Sequence, residues 1–180
     1  PDAVVICTPP YAHGEIEEEA AARGIHFFVE KPCAVSLELA ARVKAAVDRN
    51  GILAQVGYMY RFSKGGLKAR ELLRKRNIAM VQQHFYMPGM PDKHWYAKMD
   101  TGGGQLIEQA THMLDMSRFL AGDVVRVFGQ TVRAHDWAPS DTNPFRHGGM
   151  LRCHPEFDIP DTTALILEYE RGALGTLSCS

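Results

Sequence analysis

Residues 3–7 read AVVIC, residues 25–29 read IHFFV and residues 52–56 read ILAQV. Each run is apolar at nearly every position, which is typical of a strand covered on both faces in a parallel sheet. Two stretches with helical character, residues 14–23 and 36–50, separate the three runs. Because strands and helices of this length alternate in βαβ units, the sequence predicts an α/β fold with part of a doubly wound parallel sheet.

The pattern changes after residue 57. The predicted elements are a basic helix over 63–76, a strand over 78–87, a helix that opens at Gly102-Gly103-Gly104 and runs to about Leu120, and strands over 124–134, 162–169 and 173–178. The last two strands are joined by a short turn at Glu170-Arg171-Gly172, which is typical of a hairpin. We therefore predict two domains: residues 1–57 belong to the doubly wound sheet, and residues 58–180 form an incomplete α+β domain with a mostly antiparallel open sheet.

Composition excludes several classes of function. The chain has 20 Lys and Arg against 21 Asp and Glu, a net charge of −1, so it lacks the basic surplus that binds nucleic acid. No apolar run approaches the roughly 20 residues that span a bilayer, and we expect no membrane association. The four cysteines (Cys7, Cys33, Cys153 and Cys179) are far apart, and we expect free thiols in a reducing, cytoplasmic environment.

Polar motifs follow the first two strands. The first strand is followed by the motif Thr8-Pro9-Pro10-Tyr11-Ala12-His13, and the second by Glu30-Lys31-Pro32. Ligands of doubly wound sheets bind beyond the carboxyl ends of the strands, so these motifs could form the wall of a cofactor site. An ammonium such as that of Lys31 can hydrogen-bond a substrate hydroxyl and favour its deprotonation. A structural turn and a surface Glu–Lys pair are the alternatives.

A third motif lies on the helix predicted after the glycines. Glu108 and His112 are four residues apart, which places them on one helix face, and Asp115 follows on the same face. Histidine titrates near neutrality and can remove a proton from an alcohol, while a nearby carboxylate can orient the ring or bind a substrate hydroxyl. The pair lacks a convincing further metal ligand, so we predict no metal. A purely structural His–carboxylate pair is the alternative.

In this order the motifs resemble the Gfo/Idh/MocA (glucose–fructose oxidoreductase / inositol dehydrogenase) family of NAD(P)-dependent oxidoreductases. The matching segments are Thr8-Pro9-Pro10 with His13, Gly24-Ile25-His26 leading to Glu30-Lys31-Pro32, Gly57 to Phe62, Gly103-Gly104 with His112 and Asp115, and Asp161-Thr162-Thr163 through Gly172 to Gly175. The resemblance implies a Rossmann dinucleotide-binding domain, whose C-terminal part is residues 1–57, and a substrate-binding and oligomerisation domain over residues 58–180.

The resemblance also implies roles for individual residues. Lys31 matches the catalytic lysine, His112 the general base, and Glu108 stands where many members carry Asp. The implied cofactor is NAD or NADP, and the implied substrate is a sugar, a polyol or a related hydroxyl compound. The implied cofactor-binding residues are Thr8, Pro9, Pro10, His13, Glu30, Lys31, Pro32 and Arg61. The expected substrate-binding residues are Tyr58, Trp95, Tyr96, Glu108 and His112, together with polar side chains of residues 135–160.

The family's glycine-rich phosphate loop should precede Pro1. We therefore expect the chain to be a fragment of a longer protein that binds NAD poorly and is inactive by itself. We also expect a homo-oligomer, a dimer or a tetramer, that forms through the open sheet. Two other functions stay open: an NAD-dependent glycosidase on the same scaffold, and a non-catalytic regulator that binds a sugar.

Overall fold

The computed structural model describes residues 1–87, 94–134 and 157–180, and it contains two sheets. The strands are β1 (Ala3–Ile6), β2 (His26–Val29), β3 (Ala54–Val56), β4 (Met80–Phe85), β5 (Val124–Val132), β6 (Thr162–Tyr169) and β7 (Leu174–Cys179). The helices are α1 (Glu15–Ala22), α2 (Leu37–Asn50), α3 (Lys64–Leu73), α4 (Met99–Gly102), α5 (Gly104–Glu108) and α6 (Thr111–Ala121). Short 3-10 turns lie at Pro10–Ala12, Met59–Phe62 and His94–Ala97.

The first sheet is parallel, in the order β1-β2-β3, which confirms the predicted α/β arrangement. Local signals set the bounds of α2. The Ser36 hydroxyl accepts a hydrogen bond from the Leu39 N–H at 3.2 Å, and Gly51 ends the helix at a φ of 63°. All three strands run in the same direction, so the segments that follow β1, β2 and β3 meet at one edge of the sheet, which we call the carboxyl edge.

The prediction that the first strand is covered on both faces is wrong for the described residues. Ile6 is 4% exposed, whereas its neighbour Val5 is 71% exposed. The reason is that α1 and α2 pack their alanines against the face that carries Ile6, while no described residue covers the opposite face. Side chains of a strand alternate between faces, so the two neighbours have opposite environments.

The second sheet has the order β4-β7-β6-β5. β5 and β6 are antiparallel, β6 and β7 are antiparallel, and β4 runs parallel to β7, which confirms a mostly antiparallel sheet. The predicted turn between the last two strands is also confirmed, with Gly172 at a φ of 83°. α6 packs on one face of this sheet through Met113 and Leu114, against Leu165 and Leu177.

The helix predicted to run from Gly104 to about Leu120 is divided in the structure, so this prediction is wrong. α5 and α6 are separated by Gln109 and Ala110. The Ala110 N–H donates to the carbonyl of Gln105, five residues earlier, instead of the residue four earlier as in a regular α-helix. Ala110 is fully buried and packs against β7. Burial of this residue against the sheet therefore turns the chain between the two helices.

The described residues contain no helix that is long and apolar enough to cross a membrane. Three of the cysteines, Cys7, Cys33 and Cys179, are free thiols, and Cys153 lies outside the described residues.

Candidate functional site

Lys31 and Glu108 form the centre of the candidate site. Lys31 follows β2, and its Nζ donates to the Glu108 carboxylate at 2.5 Å and to the Glu108 backbone carbonyl at 2.7 Å. The two side chains are only 18% and 6% exposed. An ammonium has three N–H donors, and Glu108 accepts from two of them. Among the described residues, one donor of Lys31 is therefore left for a ligand.

The break between α5 and α6 allows the Glu108 carbonyl to reach Lys31. In a continuous helix the His112 N–H would donate to the Glu108 carbonyl. In this structure it donates to the carbonyl of Gln109 at 3.3 Å, and the Glu108 carbonyl accepts from Lys31. The prediction that Glu108 and His112 share the face of one helix is therefore wrong, because the two residues lie on different helices.

His112 lies in an aromatic environment and is 9% exposed. Its ring centroid is 4.9 Å from that of Tyr60 and 6.3 Å from that of Tyr58. Its Nδ1 atom is buried without a hydrogen-bond partner among the described residues, so Nε2 is the nitrogen that can meet a substrate. Burial and, second, the charge of Lys31 lower the pKa of His112, although the carboxylates of Glu108 and Asp115 oppose this shift. The ring is therefore neutral near pH 7, as a proton acceptor requires.

Tyr96 contacts the same carboxylate, a contact that the sequence did not indicate. Its hydroxyl donates to Oε2 of Glu108. Burial and this hydrogen bond raise the pKa of Tyr96, which keeps the hydroxyl protonated and able to donate. The Trp95 ring lies 4.5 Å from the Tyr96 ring, and a Cβ at Gly102 would lie 2.6 Å from the Trp95 carbonyl. Glycine at position 102 thus allows α4 to approach the segment that carries Tyr96.

Arg61 follows β3 and pairs with Asp115 on α6. Its Nε donates to the carboxylate at 2.7 Å, and Nη2 donates to the second oxygen. The Asp115 side chain is 5% exposed, and such bidentate pairs are strong and directional. The Tyr58 hydroxyl lies 3.3 Å from Oγ1 of Thr111 at the start of α6. These two contacts hold α6, and therefore His112, against the carboxyl edge of the first sheet.

The other predicted cofactor-binding residues differ in their exposure. Thr8, Pro9 and Glu30 are half-buried at the carboxyl edge of the first sheet. Pro10, Pro32 and His13 are buried, and both ring nitrogens of His13 are within hydrogen-bond distance of backbone carbonyls.

Tyr60 is not among the predicted site residues. The sequence feature that could have indicated Tyr60 is the pair of aromatic residues, Tyr58 and Tyr60, that flank Met59 soon after β3. Most of the predicted substrate loop, residues 135–156, lies outside the described residues. Within the described residues, no group of three metal-ligating side chains comes together.

Two family models match the chain. The model described as "Oxidoreductase family, NAD-binding Rossmann fold" matches residues 1–58, and the model described as "GFO/IDH/MocA C-terminal domain" matches residues 67–180. The fold and the matches define a class of protein in which a Rossmann domain is joined to an α+β domain. The chain belongs to the Gfo/Idh/MocA family.

The chain is also similar to named dehydrogenases in sequence and in structure. The scyllo-inositol 2-dehydrogenase (NAD(+)) of Bacillus subtilis is 28% identical over 99% of this chain and 48% of its own length. The levoglucosan dehydrogenase of Pseudarthrobacter phenanthrenivorans is 26% identical over 98% of this chain and 48% of its own length. A solved structure of levoglucosan dehydrogenase in complex with NADH has a TM-score of 0.83 at 25% identity, covering 99% of this chain and 47% of that chain. The chain spans about half the length of these relatives.

Proposed function

We propose that the protein is an NAD(P)-dependent oxidoreductase that transfers hydride between a nicotinamide cofactor and a hydroxyl-bearing carbon of a sugar or polyol. The observation that supports this most directly is the site at the edge of the first sheet. There, Lys31 has one N–H donor that no described residue accepts from, and its charge is close enough to lower the pKa of the neutral His112. Inositols and anhydrosugars, the substrate types that two relatives are named for, both carry several hydroxyls on a ring.

The residues at the carboxyl edge fit a nicotinamide cofactor. Ligands of doubly wound sheets bind at this edge, and Thr8, Pro9 and Glu30 are half-buried there rather than enclosed. These residues would hold the cofactor beside Lys31. When bound, NAD or NADP supplies the group that accepts or donates the hydride.

The protein's own residues would handle the proton and the charge. A substrate hydroxyl lies between Lys31 and His112, and Nε2 of His112 accepts its proton. The free N–H of Lys31 donates to the same oxygen and stabilises the negative charge that develops on it. Glu108 holds the ammonium in place through its carboxylate and its backbone carbonyl. In the reducing direction, His112 returns the proton.

A product assay tests the proposed function. The complete gene product is incubated with NAD or NADP and a panel of inositols, aldoses and anhydrosugars, and the reduced cofactor and the carbonyl product are measured. We expect equal amounts of the two products. Release of free sugar from a glycoside without net reduced cofactor would instead identify a glycosidase. Sugar binding without any turnover would identify a regulator.

Replacement of Tyr96 with phenylalanine should lower kcat about 10-fold. The substitution removes one hydrogen bond to a charged carboxylate, and such bonds are worth about 1.5–3 kcal/mol. Without that bond, the Glu108 carboxylate is held less firmly beside Lys31. Steady-state kinetics measure the effect, and Tyr86→Phe is the matched control because Tyr86, which follows β4, is 65% exposed. Equal kcat values for the two variants would contradict the role of Tyr96.

We propose that the protein forms a homo-oligomer through the open face of the second sheet. On the face that α6 leaves uncovered, the exposed fractions are 78% for Phe128, 54% for Ile166, 51% for Leu174 and 57% for Met80. An exposed sheet face that carries several large apolar side chains can serve as an interaction surface. The double substitution Phe128→Glu and Ile166→Glu should convert the oligomer to monomers in sedimentation experiments. Leu37→Glu is the control, since Leu37 is 81% exposed on α2. An unchanged mass would contradict this interface.

A further inference from the structure

His13 has a contact pattern that the proposed mechanism does not use. It lies just before α1 and is 6% exposed. Its Nδ1 is 3.0 Å from the carbonyl oxygen of Pro32, and its Nε2 is 2.9 Å from the carbonyl oxygen of Thr8. A carbonyl oxygen can only accept a hydrogen bond, so both ring nitrogens must donate. A histidine that donates from both nitrogens is an imidazolium.

Glu17 supplies the opposite charge. Its side chain is fully buried, and Oε1 lies 4.0 Å from Nδ1 of His13. Oε2 accepts from the backbone N–H of Gly14 at 2.5 Å, whereas Oε1 has no hydrogen-bond partner among the described residues. A protonated Glu17 would leave a buried O–H without an acceptor, and an unpaired buried carboxylate would be costly. An ion pair with His13 compensates both buried charges.

The half-buried Cys33 thiol is close enough to Glu17 for the carboxylate charge to act on it. Burial raises the pKa of Cys33, and the charge of Glu17 adds to this shift. The thiol therefore remains neutral and does not compete with Glu17 as a counter-ion.

The two carbonyls that His13 contacts belong to the segments that follow two neighbouring strands of the sheet. Thr8 follows β1, and Pro32 follows β2 directly after Lys31. Hydrogen bonds from an ionised donor are roughly twice as strong as neutral ones. His13 therefore joins the two segments that leave the sheet at its carboxyl edge.

We propose that His13 is a charged positioning residue: an imidazolium, paired with Glu17, that ties the Thr8 and Pro32 carbonyls together and so fixes the turn that presents Lys31. The effect on turnover rests on the proposed function, whereas the charge state does not.

Nitrogen NMR of the protein labelled with ¹⁵N-histidine tests the charge state directly. At about pH 7.5 an ordinary histidine is mostly neutral and has one bare ring nitrogen. We expect both nitrogens of His13 to carry protons at this pH. His26 is the control in the same spectrum. Its Nδ1 accepts a hydrogen bond from the Leu53 N–H at 3.1 Å and must therefore be unprotonated. An unprotonated ring nitrogen on His13 in the unsubstituted protein would overturn the proposal.

Two variants test the ion pair and the positioning role. Glu17→Gln retains an acceptor for Gly14 but removes the charge, so His13 should lose its second ring proton. His13→Gln should lower kcat about 10-fold or more, since small displacements of a reacting group can cost up to about 100-fold, while cofactor KM changes little. His26→Gln is the matched control, and circular dichroism checks that each variant is folded. Two protons on His13 in Glu17→Gln, or full kcat in His13→Gln, would overturn the proposal.

The experiments separate this inference from the proposed function. If the unsubstituted protein oxidises no polyol, the proposed function fails, and the NMR result still decides the charge of His13. If it oxidises polyols and His13 has a bare nitrogen, only this inference fails.

Discussion

Replacement of His112 with alanine should lower kcat about 10²–10⁴-fold, the range typical for loss of a general base. The Nε2 atom of His112 is the group placed to accept the substrate proton, because Nδ1 is buried. Cofactor affinity should change little, since the substitution does not alter the half-buried residues at the carboxyl edge. Steady-state kinetics give kcat, and titration of the protein with NAD or NADP gives the cofactor Kd.

His84→Ala is the matched control for this prediction. His84 is exposed on the open face of the second sheet, where its Nδ1 lies 2.8 Å from the Ser178 hydroxyl. An unchanged kcat in His112→Ala would exclude His112 as the base. A tenfold loss of cofactor affinity with unchanged kcat would instead make His112 a cofactor-binding residue.

The pH dependence of the reaction follows from the direction of the His112 pKa shift. A protonated ring cannot accept the substrate proton, so oxidation falls when the pH drops through the pKa of His112. Burial and the charge of Lys31 lower this pKa, so the acidic limb of kcat/KM should lie below about pH 6.5, the ordinary value for histidine. A limb above that value would contradict the assignment.

Replacement of Lys31 with methionine should lower kcat about 10²–10³-fold, as expected when one donor to a developing oxyanion is lost. Methionine has a similar length but no N–H group and no charge. The substitution also leaves the buried Glu108 carboxylate without its cation. Because the charge of Lys31 no longer opposes protonation of His112, the acidic limb of kcat/KM should move to higher pH.

The pH profile distinguishes loss of this charge from a general structural defect. Lys44→Met is the control, because the Lys44 side chain is 74% exposed and pairs with Asp48 on α2. A Lys31→Met variant with normal kcat would exclude Lys31 from the reaction. A limb that moves to lower pH would show that Lys31 does not act on His112.

The first sheet could be predicted because its signals are local. Three apolar runs alternate with helical stretches, and both the hydroxyl of Ser36 and the positive φ of Gly51 act within a few residues of the helix ends. The exposure of Val5 could not be predicted in this way, because it depends on which face the helices cover.

The division of the helix near residue 109 could also not be predicted from the local sequence pattern. The spacing of Glu108 and His112 is correct for one helix face, yet Ala110 is buried against β7 and the helix ends before it. Packing against a strand nearly 70 residues later in the chain therefore overrides the local preference. That same break makes the Glu108 carbonyl available to Lys31.

By itself the sequence determined the order of strands and helices, the segments that end at the carboxyl edge, and the residues whose chemistry suits proton transfer. Tertiary structure alone decided which partner each polar side chain has: Glu108 for Lys31, Asp115 for Arg61, and backbone carbonyls for His13. The physical reason is distance along the chain. Lys31 and Glu108 are 77 residues apart, and the periodicity of a sequence does not indicate hydrogen bonds between residues so far apart in the chain.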